Sequence, residues 1–234
     1  PIRYLFEPRQ GKSFAGNMAI REARGEILAM TDDDAIPEST WAQALHEAFV
    51  SLQADCVGGM VLPFWLAPPP DWLLRRDVRE TLWTKLALLD RGREPVVADG
   101  RNSAFIFGDN MAFRTETLVE LGCLRTDLGP KGTFVMKCED TEILERFFAA
   151  SKRVVYAPQA IVYHKVPPQR MRMNYFRHWQ FLWGRSMELL SPTKTVRVPR
   201  WYGWYAREEC LSQGLKALQA YARREPTQGL QDEL

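Results

Sequence analysis

Three carboxylates stand in a row at Asp32, Asp33 and Asp34, directly after the apolar run Ile27-Leu28-Ala29-Met30. Charge packed this densely raises the pKa of at least one acid unless a cation neutralises the group. Hard oxygen ligands of this kind suit Mg²⁺ or Mn²⁺, above all where phosphate oxygens complete the coordination sphere. A solvated acidic turn is the competing reading, because Asp is common in turns. Two further acids, Glu139 and Asp140, open a helical pattern that carries Ile143, Leu144 and Phe147 on its apolar side. Carboxylates in a first turn are favoured by the helix dipole whatever else they do. His164 closes the run Ile161-Val162-Tyr163; on its own, such a histidine is more often a structural hydrogen-bonder than a ligand.

Strands must deliver these groups to one place. Residues 26–31 predict a buried strand bounded by Gly25 and Pro37, and ligands of open α/β sheets bind at the carboxyl ends of strands, where the triplet would sit. Residues 2–6 predict a short strand, and Ser13 an N-cap for a helix that Gly25 ends at C′. Thr40-Trp41-Ala42-Gln43 has capping-box form ahead of Leu45, Ala48, Phe49 and Leu52 at helical spacing. Residues 56–62 predict a strand whose Gly58-Gly59 pair admits a close neighbour. From Pro63 to Asp71, three consecutive prolines predict irregular structure. Trp65 and Trp72 there anchor the loop to the core in the favoured reading and line a sugar site in the other.

The pattern over 75–101 is weak, with a helix around 81–89, and offers no chemistry. Residues 104–114 predict a strand pair or a strand bent at Gly108, then a short helix capped by Thr115 and stopped by Gly122. Loop 123–137 reads as mobile. Two strands, 154–156 and 161–163, are separated by Pro158, and residues 171–190 carry Tyr175, Phe176, Trp179, Leu182 and Trp183.

The 234 residues suffice for one large domain with an appendage. A formal net charge of +2 argues against a dedicated nucleic-acid surface, and 46% apolar with 26% charged residues excludes wholesale disorder. No apolar run reaches bilayer length and no secretory signal opens the chain. Four singly scattered cysteines suit a reducing compartment. Together these predict a cytoplasmic protein, at the inner face of the membrane if the tail contacts lipid. Beginning at Pro1, the chain reads as truncated at its N-terminus.

Several separate pieces resemble one family, the inverting glycosyltransferase family 2 with its GT-A fold. They are Gly11 to Asn17, Gly25-Glu26-Ile27-Leu28, Asp32-Asp33-Asp34, Gly108-Asp109-Asn110-Met111-Ala112-Phe113-Arg114, Glu139-Asp140 and Tyr163-His164, in family order. The resemblance implies an α/β fold, a mixed sheet flanked by helices, with a C-terminal helical extension. It implies a nucleotide-diphospho-sugar donor and a glycan or lipid-linked hydroxyl acceptor. It also implies Mn²⁺ or Mg²⁺ held by Asp32 and Asp34 with His164 as a further ligand. Asp140 matches the base that deprotonates the acceptor, with Glu139 beside it. Asp33, Asn110, Arg114 and Arg185 match positions near the nucleotide sugar. Two departures stand out: Ala15-Gly16-Asn17 lacks a basic residue the family often has, and the strands that bind the nucleobase should precede residue 1.

The expected organisation is a glycosyltransferase domain over 1–190 and a basic, aromatic segment with an amphipathic helix over 191–234. That tail packs on the domain or a partner, as its mixed polar face favours, or touches a membrane surface peripherally. Gln180 to Arg185 does not reproduce the Q-x-x-R-W signature of processive synthases. The leading reading is a metal-dependent inverting transferase; the alternative is a non-catalytic remnant that binds carbohydrate or a partner. A nucleotidyltransferase would need a Gly-rich phosphate loop, which the sequence lacks.

Overall fold

Alternating apolar runs and Gly or Pro punctuation fold into a mixed sheet. In the computed structural model, residues 2–98, 106–132, 134–135 and 137–190 are described. Helix α1 (Lys12–Glu22) leads to β1 (Ile27–Met30), β2 (Ala35–Pro37), α2 (Trp41–Ser51) and β3 (Cys56–Trp65). Two short helices, α3 (Asp71–Leu74) and α4 (Arg76–Leu82), precede a 3₁₀ turn at Trp83–Leu86 and β4 (Val96–Val97). Then come β5 (Met111–Arg114), α5 (Thr115–Glu120), and a small hairpin of β6 (Pro130–Lys131) and β7 (Phe134–Val135). The last elements are α6 (Glu139–Ala149), β8 (Val154–Val166), a 3₁₀ turn at Pro168–Met171 and α7 (Met173–Leu190). The expectations for the tail 191–234, for Asp99-Gly100 and for Ala104-Phe105 lie outside the described residues. Among the described residues no helix is long and apolar enough to cross a membrane.

Strand order is β1-β5-β3-β8-β2, with β4 beside the first half of β8. Because β3 and β8 are parallel and β5 runs against both β1 and β3, strands β1, β3 and β8 point the same way. Their carboxyl ends therefore share one edge. This is the mixed α/β sheet expected. Central strands are apolar on both faces because helices cover both: Val57, Ala112 and Val155 pack on Ala44, Leu45 and Phe49 of α2. Their neighbour Phe113 points the other way and meets Phe147 of α6 at a centroid distance of 5.4 Å. Burial of each such side chain contributes about 1.5–3 kcal/mol.

One irregularity shapes the sheet. Gly59 pairs with Ala157 but Met60 with Ile161, so residues 158–160 bulge from β8. Pro158 has no N–H for the ladder, and the side chain of Asn110 closes the gap. Its Nδ2 donates to Met60 O at 2.9 Å and Ala160 O at 2.8 Å, while its Oδ1 accepts from Trp41 Nε1 at 2.8 Å. The room comes from Gly59, where a Cβ would lie 1.9 Å from Ala160 O. The two closing strands expected at 154–156 and 161–163 are thus one strand, bent rather than broken.

Several local expectations are corrected. Residues 2–6 form no strand; Ile2, Tyr4 and Phe6 are exposed, with no neighbouring strand to pair with among the described residues. Gly11, not Ser13, caps α1, and Ser13 is buried with its hydroxyl donating to Leu128 O at 3.4 Å. That helix ends at Ala23 in extended conformation, without a left-handed glycine. Thr40 precedes α2 but makes no side-chain cap, since Gln43 turns to Glu47 instead. Thr115 donates to Gly25 O rather than capping α5. β3 continues through Pro63 to Trp65, with Pro63 opposite His164. Part of the loop 123–137 forms the β6–β7 hairpin. Trp65 and Trp72 serve as anchors, edge-on to Trp83 and Phe176.

Candidate active site

Register brings the separated acids and the histidine together. β1 ends at Met30, opposite Met111 of β5, so the triplet after β1 faces Gly108, Asp109 and Asn110 before β5. β2 then turns back along β8 with Ala35 opposite His164, and the amide of Lys165 donates to Asp34 O at 2.8 Å. Around this edge lies a cavity of about 590 Å³ lined by Asp32, Asp33, Asp34, Asp109, Glu139, Asp140 and His164. Lys12, Lys85, Lys137 and Arg170 supply the opposite charge, and Trp179 and Trp183 of α7 line it too.

Two ion clusters divide the acids. Lys12 Nζ lies 2.8 Å from both Asp32 oxygens and 3.9 Å from Glu139 Oε1. Burial works to lower the Lys12 pKa, but the charges of Asp32 and Glu139 outweigh it and hold the ammonium above its ordinary value. Glu139 is pushed up to about 7, by burial first and then by Asp140 beside it. Asp140 lines the same wall with Oδ1 accepting from the Thr141 amide at 2.8 Å. The left-handed Cys138 (φ 73°) breaks the chain before α6 and so sets these two acids at a helix start.

The second cluster centres on His164. Its Nδ1 lies 2.7 Å from Leu86 O, and a carbonyl can only accept, so Nδ1 carries a proton, while Nε2, set against the donor-only guanidinium of Arg170, turns its lone pair toward the cavity. That nitrogen is 3.3 Å from Asp34 Oδ2. Arg170 closes the gap, with Nη1 3.1 Å from Nε2 and Nη2 3.2 Å from Asp34 Oδ2. A converging imidazole lone pair and carboxylate oxygen are donors that a divalent ion accepts. Among the described residues no three of His, Cys, Asp and Glu gather to cage an ion unaided. Two protein donors completed by phosphate oxygens fit the way Mg²⁺ is usually bound.

Asp109 stands apart. It is buried, neither carboxyl oxygen has a hydrogen-bond partner among the described residues, and burial followed by the charge of Asp32 pushes its pKa up to about 8.

Helix α7 is tied to two walls of the cavity. Tyr175 donates to Lys85 O at 3.1 Å, and Ser186 Oγ accepts from the Lys137 amide at 2.7 Å. Between them, Trp179 has Lys85 Nζ 5.2 Å and Lys137 Nζ 5.9 Å from its ring centroid and stacks on Trp183 at 6.5 Å. Burial lowers the pKa of both lysines.

Of the residues singled out from sequence, Asp32, Asp33, Asp34, Glu139, Asp140 and His164 meet in the cavity. Asn110, Arg114 and Arg185 do not line it. Every polar atom of the Asn110 side chain is engaged within the fold, leaving none for a sugar. Arg114 donates to Ala54 O and Phe49 O beneath α2. Arg185 is exposed on α7. Asn17 of the Ala15-Gly16-Asn17 stretch is structural as well, clamping the amide and carbonyl of Leu124 at 2.9 and 2.8 Å. Sequence reasoning passed over Lys12, Asp109, Arg170, and Thr84 to Ala87. Asp109 could have been found as the charged residue ahead of the apolar run Met111-Ala112-Phe113; the others carry no sequence signal, Lys12 opening α1, Thr84 to Ala87 being turned in by the left-handed Ala87 (φ 56°) and Arg170 by the turn after β8.

Comparison with known proteins adds a family. The model for "Glycosyltransferase like family 2" matches residues 1–178. A glucosyl-dolichyl phosphate glucuronosyltransferase of Haloferax volcanii is 28% identical over 196 residues, covering 82% of this chain and 60% of the relative. The chain thus spans about 60% of the length of that curated relative. Among solved structures, a Pyrobaculum calidifontis mannosyltransferase in complex with GDP-Man and Mn²⁺ is similar with a TM-score of 0.48 and 21% identity, covering 74% of this chain and 41% of that one. GalNAc-T7 with UDP, GalNAc and Mn²⁺ gives 0.47 and 15%, covering 69% and 31%.

Proposed function

Because the chain belongs to the glycosyltransferase family 2, we propose that it transfers a sugar from a nucleotide-diphosphate donor to a hydroxyl acceptor, with inversion at the transferred carbon. The observation that carries this is the meeting, in one cavity, of the Asp34–His164 pair with the Glu139–Asp140 pair. Asp34 and His164 would hold Mn²⁺ or Mg²⁺, and when bound the ion supplies Lewis-acid stabilisation of the departing nucleoside diphosphate. Leu86 fixes the tautomer in which His164 Nε2 carries the lone pair that would ligate.

Asp140 acts as the general base. An inverting displacement needs a base on the face opposite the leaving group, and Asp140 sits at the start of a helix whose Ile143, Leu144 and Phe147 are fully buried, so its carboxylate is rigidly presented. Glu139, held near Lys12, shapes the field around it. Asp32 pairs with Lys12 and keeps that ammonium in the cavity, and Asp33 lines the cavity beside the donor's place.

The relative from Haloferax volcanii is named for a lipid-linked acceptor. A glycan or lipid-linked hydroxyl is accordingly the acceptor class we favour. The stacked Trp179 and Trp183 give the cavity an aromatic flank suited to sugar rings and apolar chains. Peripheral membrane contact through 191–234 belongs to the same reading.

The test is a panel of nucleotide sugars offered with Mn²⁺ or with EDTA, reading hydrolysis and transfer to lipid-linked glycans. One nucleotide sugar should be consumed with Mn²⁺ only, and Asp34→Ala should abolish its consumption. Failure of every nucleotide sugar to bind in the presence of Mn²⁺ would sink the proposal.

A further inference from the structure

Arg170 lies where the divalent ion of the proposed reaction would go. We infer that its guanidinium is a resident cation that bridges Asp34 and His164 until a divalent ion displaces it. The inference rests on the metal reading above and adds a competitor from within the chain.

Three observations support it. First, an imidazole lone pair and a carboxylate oxygen 3.3 Å apart repel each other unless a positive group lies against both, and Arg170 supplies one with contacts of 3.1 and 3.2 Å. Second, the two donors are held without it. Leu86 O fixes the imidazole, and the Lys165 amide fixes the backbone of Asp34, so the pair stays assembled when the guanidinium leaves. Third, the arginine can leave without disturbing the fold. Its side chain is 34% exposed, while its backbone is fixed by the bond from its amide to Pro167 O and by the buried Met171 that follows.

A divalent ion brings twice the charge to the same two donors, so it wins the exchange when it is present with its remaining oxygen ligands. Without it, Arg170 keeps the acidic edge neutralised. The arginine therefore weakens binding of the bare ion while it stabilises the ion-free protein.

The experiment measures Mn²⁺ binding to the full chain, without nucleotide, by calorimetry and by the loss of the free Mn²⁺ resonance signal. Arg170→Gln and Arg170→Ala are compared with wild type, and the rise in melting temperature on adding Mn²⁺ is read in parallel. Both variants should bind Mn²⁺ about fivefold more tightly, the loss of a part-exposed ion pair being worth roughly that factor. They should also melt lower than wild type without Mn²⁺ and gain more from its addition. His164→Ala in either background should weaken Mn²⁺ binding. Unchanged or weaker Mn²⁺ affinity in the Arg170 variants overturns the exchange while leaving the metal site standing. Absence of Mn²⁺ binding in wild type and variants alike, also when UDP or GDP is added to complete the oxygen ligands of the ion, removes the metal reading itself.

Discussion

Lys12 Nζ sits 2.8 Å from each carboxylate oxygen of Asp32, which commits the first acid of the triplet to a cation of the protein itself. Asp34, two residues on, faces His164 instead. The turn at Asp33 and Asp34, closed by the Ala35 amide donating to Asp32 O at 3.1 Å, separates the two acids, and their roles follow from that separation.

Asp32→Asn and Asp34→Asn should therefore differ. Asp34→Asn is expected to weaken Mn²⁺ binding more than tenfold, whereas Asp32→Asn should change it by no more than about threefold, since a lost ligand costs far more than a lost neighbour. Calorimetric titration with Mn²⁺ alone decides it. Equal losses in the two variants would return Asp32 to the metal.

Asp140→Asn should bind a nucleotide sugar with affinity close to wild type yet transfer it at least about a hundredfold more slowly, the usual scale of a missing general base. Separate measurements of donor binding and single-turnover transfer provide the check. Full transfer activity in this variant would take the base assignment from Asp140.

Stability should depend on pH through Asp109. Its carboxyl titrates at an ordinary 3.8 in the unfolded chain and at about 8 when folded. The folded state thus holds a proton that the unfolded chain has already lost, and stability falls as pH rises between those values. Relative to Asp109→Asn, which has no proton to lose, wild type should lose up to about 1.4 kcal/mol per pH unit across that window. Urea midpoints at pH 5, 6.5 and 8 give the slope. Parallel profiles for the two proteins would show that Asp109 is not protonated in the fold.

At Gly59, alanine would place its Cβ 1.9 Å from Ala160 O and 2.5 Å from Asn110 Nδ2. The expected loss is about 3 kcal/mol, from overpacking and from prying the Asn110 amide off its carbonyls. Gly184→Ala in α7, where no described residue lies within 4 Å of the added Cβ, should be neutral or slightly stabilising and serves as the control. Urea denaturation of both distinguishes a packed glycine from a tolerated one.

The acids and the histidine were legible in the sequence because each ends or begins an element with a clear apolar period: Ile27 to Met30, Ile143 to Phe147 and Ile161 to Tyr163. Their convergence depends on strand register, which no local pattern encodes. Asn110 and Arg114 lie in a stretch that looks functional, yet their side chains are taken up by backbone groups of β3, the β8 bulge and α2, partners distant in sequence. Lys85 and Leu86 escaped notice for the opposite reason. Their surroundings have little periodicity, and only the left-handed turn at Ala87 and the hydrogen bonds from His164 and Tyr175 give them a place in the site. Pro158 read as a strand terminator because its missing N–H is a local fact, while the amide that compensates for it is not.

The three residues looped out at 158–160 also set a phase. A straight ladder continuing from Ala157 opposite Gly59 would carry His164 to position 66 rather than 63 of the neighbouring strand, about 10 Å farther along. Three is odd, so the imidazole would also project from the opposite face of the sheet. The bulge works as a vernier between the buried half of β8 and its functional end. Altering the number of residues in it would retune the spacing of His164 and Asp34 without replacing either side chain.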